Sequence, residues 1–227
     1  MTFIGIGPNA FGASLGVDSS NVYWPNGTTI EIAEIGGNGS SQQTVPNTAT
    51  EVTTDGSYVY VADATGIRRF PSGGGTVSDV VTDSNPHSLA TANGLIVWAN
   101  ASNEVEVANV DGTSQATLAT MTSAVDHVTT DGTNVYFTWS SDVLSVPIQA
   151  SDPPFLLASG LVELSGIATD GTSVYWIDST SISKVPVGGG STTKVYASSG
   201  DVAQIVVDGS SVFWTSSAAK VGKVTPK

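Results

Sequence analysis

The sequence contains two histidines, His87 and His127, and acidic residues accompany both of them. Asp126 directly precedes His127, and Glu51 belongs to the repeat unit before the one that contains His87. An imidazole paired with a carboxylate can bind a divalent metal ion or transfer protons near neutral pH. If the protein is an enzyme, we expect His87, His127 and Asp126 to be its catalytic residues. The alternative is that each histidine is hydrogen-bonded in a loop or at the start of a strand.

The composition excludes several other kinds of chemistry. The 227 residues include no cysteine, which rules out thiol catalysis, cysteine metal sites and disulfides. With 20 acidic and 7 basic residues, the net charge is −13 at pH 7. Nucleic acids and anionic membranes require clustered lysine and arginine, and the sequence has a single basic pair, Arg68–Arg69. We therefore expect neutral or cationic partners, no nucleic acid and no membrane.

The elements that must position these residues follow from an internal repeat. A turn followed by a β-branched residue and an aromatic residue recurs about every 38 residues. Its six copies are Asp18–Trp24, Asp55–Val61, Ala92–Trp98, Asp131–Phe137, Asp170–Trp176 and Asp208–Trp214. Asp-Gly favours a tight hairpin turn, and the Val-Tyr-Trp segment favours a packed strand. The pattern within each unit therefore predicts four short antiparallel strands.

Six such units predict an all-β fold, a six-bladed β-propeller with four-stranded antiparallel blades. Such small sheets bury both faces only by packing radially against their neighbours. The last unit ends after its third strand, and an additional strand is predicted in residues 1–7. We expect this N-terminal strand to complete blade 6, a 1+3 closure. The single domain 1–227 would then contain blades at about 8–46, 47–84, 85–122, 123–160, 161–199 and 200–227.

Two positions near the start of the first strand of each unit do not repeat. Four residues before the turn, the six units carry Ser14, Glu51, Ser88, His127, Gly166 and Gln204. Five residues before the turn, they carry Ala13, Thr50, His87, Asp126, Ser165 and Ala203. In a propeller these residues would surround one mouth of the central channel. Variation confined to this ring, within a repeated frame, predicts a functional site there.

Trp139 is a second departure from the repeat. In the other units, the corresponding residue at the start of the loop between the second and third strands is Asn26, Asp63, Asn100, Asp178 or Ser216. An exposed indole can stack on a sugar or a cation, or anchor a protein partner. The alternative is that Trp139 packs against a neighbouring loop.

The repeated pattern of strand, Asp-Gly turn and Val-Tyr-Trp strand, as in Asp170–Trp176, resembles six-bladed propellers of the YWTD and NHL type. The segment Val185–Gly190 resembles repeats of uncharacterised bacterial secreted propellers. The resemblance covers nearly the whole chain. It implies that ligands bind on the face formed by two sets of loops, those from the fourth strand to the next first strand and those from the second strand to the third. It also implies an extracytoplasmic or secreted location, while residues 1–7 lack the basic segment of a signal peptide.

These observations favour a non-enzymatic propeller that binds a ligand or a protein partner at the channel mouth. The residues that we expect to contact the ligand are Glu51, His87, Asp126, His127, Trp139 and Gln204. The first alternative is a lyase or hydrolase that uses histidine and carboxylate, with a divalent cation as an option. The second alternative is a carbohydrate-binding lectin. The partner would be a small molecule, a glycan or a protein, and we expect a monomer without a cofactor.

Overall fold

The computed structural model of the chain describes residues 14–37, 39–149, 152–179, 181–197, 202–216, 221–225 and 227. These residues form strands and turns, and among them there is no helix of the length and apolarity that crossing a membrane requires. The strands assemble into six separate antiparallel sheets. This arrangement confirms the prediction of an all-β, six-bladed β-propeller.

Within each sheet the strands lie side by side in chain order. Blade 1 contains β1 (Gly16–Val17), β2 (Asn21–Asn26), β3 (Thr29–Glu34) and β4 (Ser40–Thr44). Blade 2 contains β5 (Glu51–Thr54), β6 (Tyr58–Asp63), β7 (Gly66–Pro71) and β8 (Ser78–Thr82). Blade 3 contains β9 (His87–Ala92), β10 (Leu95–Ala99), β11 (Glu104–Asn109) and β12 (Ala116–Thr120).

The second half of the chain repeats this plan. Blade 4 contains β13 (Val125–Thr130), β14 (Asn134–Trp139), β15 (Asp142–Pro147) and β16 (Phe155–Ala158). Blade 5 contains β17 (Gly166–Thr169), β18 (Ser173–Asp178), β19 (Ser181–Pro186) and β20 (Thr193–Ala197). The described part of blade 6 contains β21 (Val202–Val207), β22 (Val212–Ser216) and β23 (Val221–Val224). The predicted 1+3 closure depends on residues 1–7, which lie outside the described residues, so the closure stays a prediction.

A repeated aspartate builds the hairpin between the first and second strands. In blade 4, Oδ1 of Asp131 accepts the backbone N–H groups of Thr133 and Asn134, each at 2.8 Å. The other carboxylate oxygen of Asp131 accepts the Tyr136 hydroxyl at 2.7 Å. The same three hydrogen bonds recur in blades 1, 2 and 5, around Asp18, Asp55 and Asp170. These carboxylates therefore hold turns together, as the turn motif predicts.

The hydrophobic core lies between the blades. Five clusters of buried side chains each combine residues of two successive blades. The cluster between blades 3 and 4, for example, joins Val97 and Val105 to Val125 and Phe137, and all four side chains are fully buried. Since each sheet covers the next, burial of apolar surface stabilises the ring as a series of neighbour contacts.

Blade 6 departs from this pattern at the side chain of Val221, which is 74% exposed. Pairing between the second and third strands places Val221 in register with five fully buried residues, Ile30, Ile67, Val105, Val143 and Ile182. Val206 on β21 and Leu15, just before β1, are exposed as well. The described residues therefore leave apolar side chains uncovered on blade 6 and at the start of blade 1.

Candidate functional site

The first strand of each blade forms the inner edge of its sheet, and the first strands of successive blades contact one another. In the turn of blade 4, the Asp131 N–H donates to the Asn134 carbonyl. Because N–H groups along an antiparallel strand point alternately toward and away from the paired strand, this bond determines which N–H groups of β13 face β14. As a result Val128, which lies opposite Phe137, turns its N–H away from β14 and toward the neighbouring blade. A buried inner-edge N–H of this kind needs an acceptor from outside its own sheet.

Two serines from the non-repeating ring provide such acceptors. Ser14 Oγ accepts the Val52 N–H at 2.5 Å, which joins blade 1 to blade 2. Ser88 Oγ accepts the Val128 N–H at 2.8 Å, which joins blade 3 to blade 4. Both serines lie four residues before the turn of their blade. This position therefore caps the inner edge of the next blade.

Glu51 occupies the same position in blade 2. Burial raises the pKa of the Glu51 carboxyl above its usual range, while hydrogen bonds from the Ser14 side chain and the Ser88 backbone, and the charge of His87, act in the opposite direction. These contacts place Glu51 between blades 1 and 3. The carboxyl is half-buried at the channel, close to the first of the two histidines.

His87 uses both ring nitrogens within the protein. Its Nε2 lies 2.9 Å from the Val125 carbonyl oxygen of blade 4, and its Nδ1 lies 3.2 Å from the Asn85 carbonyl oxygen. The backbone around His87 is irregular. Asn85 (φ 50°) and Ser88 (φ 53°) have left-handed conformations, and the register shifts between β9 and β10. This irregularity directs the ring toward blade 4. This geometry is hydrogen bonding at a strand start, the alternative that the sequence left open for His87.

His127 and Asp126 lie side by side at the start of blade 4. The His127 ring is half-buried, and this burial lowers its pKa; the Asp126 carboxylate raises the pKa and His87 lowers it further. The His127 backbone N–H donates to Thr138 Oγ1 at 3.1 Å, which holds the residue at a bulge in β13. Asp126 itself is exposed. A neutral imidazole beside an exposed carboxylate can donate or accept a hydrogen bond at the channel.

The remaining two predicted contact residues differ from each other. Trp139 pairs with Val125, is half-buried and packs against the core cluster that blades 3 and 4 share. Its indole N–H is buried and has no hydrogen-bond acceptor among the described residues. The Trp139 ring therefore packs mainly against neighbouring side chains, which is the alternative that the sequence left open for this residue. Gln204 lies exposed on the inner strand of blade 6.

Among the hydrogen bonds of the described residues, the side-chain caps on Val52 and Val128 have no counterpart on Ile167 of blade 5 or Ile205 of blade 6. Gly166 holds the capping position of blade 5 and has no side chain, although a β-carbon placed there would lie 3.8 Å from the Ile205 nitrogen. Ser165 Oγ reaches the Val202 carbonyl only at 3.4 Å. The side-chain hydrogen bonds at the inner edge therefore differ between the first four blades and the last two.

Taken together, the structure places His87 near Glu51 and His127, and it places Asp126 beside His127. In the part of the chain that is described, no group of three His, Asp or Glu side chains is arranged to hold a metal ion. A divalent cation at the mouth thus stays a prediction. No sequence pattern indicates the Asn85 and Val125 carbonyls as partners of His87, because every residue has a backbone carbonyl.

Comparison with known proteins identifies a fold and no family. No family model matches the sequence, and no curated protein matches it. A chain in the crystal structure of a nidogen/laminin complex is similar, with a TM-score of 0.71 and 16% identity over 92% of this chain and 90% of that one. A chain of the mitotic checkpoint complex gives 0.72 and 14% over 97% and 81%. The computationally designed Ika8 protein gives 0.70 and 14% over 96% and 72%. At these identities the likeness shows the propeller fold alone.

Proposed function

We propose that this protein is a non-enzymatic binding propeller that holds a protein partner at the channel mouth around Asp126, His127 and Gln204. The observation that carries the proposal is the state of His87, whose two ring nitrogens both lie on backbone carbonyls. A neutral imidazole can donate to only one of these two carbonyls, but both ring nitrogens are directed at the backbone, so the ring joins blades 3 and 4 and presents neither nitrogen to a ligand. A catalytic centre that required both histidines would therefore lack His87.

Exposed polar groups at the same mouth support a binding role. Asp126 and Gln204 are exposed on inner strands, and His127 lies half-buried beside Asp126. The net charge of −13 favours neutral or cationic groups over anions. Two of the similar propellers were determined as parts of protein complexes. A protein loop with neutral and basic side chains suits this mouth best.

The test is selection of a displayed random peptide library on the immobilised full chain. Selected peptides are then measured by fluorescence anisotropy against a double variant, Asp126→Ala with Gln204→Ala. We expect at least a tenfold loss of affinity, which corresponds to about 1.4 kcal/mol. The matched control is Ser19→Ala with Ser57→Ala, which changes two exposed residues in the turns at the opposite end of the first strands. Equal binding to both variants, or no selectable peptide, would contradict the proposal.

A hydrolase or lyase is the second candidate, and the pair of Asp126 and His127 favours it. Burial lowers the pKa of His127, which leaves its imidazole largely neutral near pH 7 and able to accept a proton. Screening ester, lactone and uronate substrates with and without divalent cations tests this candidate. Activity that disappears in His127→Ala and persists in His87→Ala would replace the binding proposal.

A lectin is the third candidate, and it depends on the exposed part of the Trp139 ring. A glycan array tests it, with Trp139→Phe as the comparison because phenylalanine keeps most of the packing. Glycan binding that the wild type shows and Trp139→Phe loses would favour the lectin over the protein-binding proposal.

A further inference from the structure

The backbone N–H groups of Ile167 and Ile205 have the same orientation as the capped N–H groups of Val52 and Val128. In blade 5, Ile167 lies opposite Trp176, and in blade 6, Ile205 lies opposite Trp214. The turn hydrogen bonds at Asp170 and Asp208 set the same alternation as in blade 4. Both N–H groups therefore point away from their own sheets, at the inner edges of blades 5 and 6.

The residues that would cap these two N–H groups do not do so. By the rule of blades 1 and 3, the cap for Ile205 is residue 166, a glycine, and the cap for Ile167 is His127. The side-chain hydrogen bonds of the described residues include one from Val52 and one from Val128, and none from the N–H groups of Ile167 and Ile205. Ile205 is 8% exposed, and a buried N–H that lacks an acceptor costs about 1–3 kcal/mol. An acceptor from outside the chain would recover this free energy.

We propose that the N–H groups of Ile167 and Ile205, next to His127, form a subsite for a neutral oxygen acceptor, the carbonyl or carboxamide of a peptide. This subsite rests on the proposed function, since it gives the chemistry by which the channel mouth would recognise an inserted peptide loop. In blades 1 and 3 the protein fills the equivalent position with a neutral hydroxyl, from Ser14 and Ser88, and in blade 2 with the Glu51 carboxyl, which accepts the Ser88 N–H. The carboxylates of Glu51 and Asp126 and the net charge disfavour a carboxylate ligand.

The direct test is an NMR titration of the full ¹⁵N-labelled chain with N-methylacetamide. We expect a saturable downfield shift of the amide protons of Ile167 and Ile205. The amide protons of Val52 and Val128, which already have acceptors, serve as internal references and should stay in place. Acetate should bind more weakly than N-methylacetamide. Static Ile167 and Ile205 amides, equal shifts of the reference amides, or tighter binding of acetate would overturn the proposal.

Two variants of one residue separate capping from simple obstruction. Gly166→Ser introduces the hydroxyl that blades 1 and 3 use, and it should cap the Ile205 N–H and weaken the Ile205 response about two- to tenfold, the equivalent of one hydrogen bond. Gly166→Ala adds the same β-carbon, 3.3 Å from Ile177 Cδ1 and Ile205 Cγ2, without an oxygen. It should keep the response. Equal suppression by both variants would refute the capping argument.

The titration and the peptide selection can fail independently. N-methylacetamide needs no contact with Asp126 or Gln204, so a response at Ile167 and Ile205 without any selectable peptide would retain the subsite and discard the protein partner. Selected peptides that bind without shifting the amide signals of Ile167 and Ile205 would support the protein partner and contradict the subsite.

Discussion

Blades 1–4 and blades 5–6 use the same repeat and treat their inner edges differently. In the first group, Ser14, Glu51, Ser88 and His87 connect each blade to the next by hydrogen bonds at the channel. In the second group, the capping position of blade 5 is Gly166, and the contact from Ser165 is long. Blade 6 also leaves Val206 and Val221 exposed. We refer to these groups as the capped half and the uncapped half.

The difference shows two ways in which a repeat protein can treat the inner edges of its sheets. An inner-edge strand exposes N–H and C=O groups that the protein must satisfy or leave to a ligand. The capped half satisfies them with its own side chains, so Ser14, Ser88 and His87 act in structure. The uncapped half keeps its N–H groups without side-chain acceptors among the described residues, so the same backbone positions can act in recognition.

Deletion of residues 1–7 is the change with the largest expected effect. If this segment completes blade 6, its loss removes the burial of Phe3 and Ile4, and the free energy of unfolding should fall by about 3 kcal/mol or more. Denaturant unfolding of the deleted chain measures the loss. A chain in which a Gly/Ser segment replaces residues 1–7 is the control and should behave like the deletion. An unchanged unfolding midpoint would contradict the 1+3 closure.

Ser88→Ala should produce the next largest effect. It leaves the Val128 N–H, on a residue only 5% exposed, without its acceptor, and the expected loss is about 1–3 kcal/mol. Ser165→Ala is the matched change in the uncapped half, where the 3.4 Å contact predicts a loss of about 0.5 kcal/mol or less. Thermal and urea unfolding compare the two variants. Similar losses would show that the two halves do not differ in their inner-edge hydrogen bonds.

Tyr60→Phe and Tyr175→Phe test whether the difference between the halves is confined to the channel. Each variant removes a hydroxyl that donates to a turn aspartate, one in each half, and each should lose about 1–2 kcal/mol. Blade 6 provides a natural reference, since Phe213 already stands beside its turn. Clearly unequal losses would mean that the halves also differ at the opposite face.

The pH dependence of stability should be the smallest effect. Burial lowers the folded-state pKa of His127 from its ordinary value of 6.5, so the unfolded chain takes up a proton at a higher pH than the folded chain does. The His127 contribution is therefore fully present above about pH 6.5 and is lost as the pH falls below it, with a slope of at most about 1.4 kcal/mol per pH unit. Urea unfolding between pH 5 and 8 measures this slope.

His127→Gln should remove this dependence. Asp126→Asn should strengthen it, because the Asp126 carboxylate raises the pKa of His127 in the folded state. A wild-type slope that persists in His127→Gln would assign the titration to another group.

Individual residues show which features of the structure could be predicted from the sequence and which could not. The recurring turn of Asp131 and its equivalents predicted six units and their hairpin turns, because a turn is a local property of a few consecutive residues. The same alignment placed His87, His127 and Glu51 at one mouth of the channel. It could not distinguish the two histidines, although the structure gives them different surroundings. His87 meets the carbonyl of Val125, which lies 38 residues away.

The sequence alone determined the period, the strand pattern and the identity of the non-repeating ring, since each depends on residue types at regular spacing. Tertiary structure alone decided which members of that ring are used for holding blades together and which N–H groups are left at the channel. The reason is that the acceptors and donors concerned are backbone groups of a neighbouring blade. Every residue carries such groups, so only their positions in space give them a role.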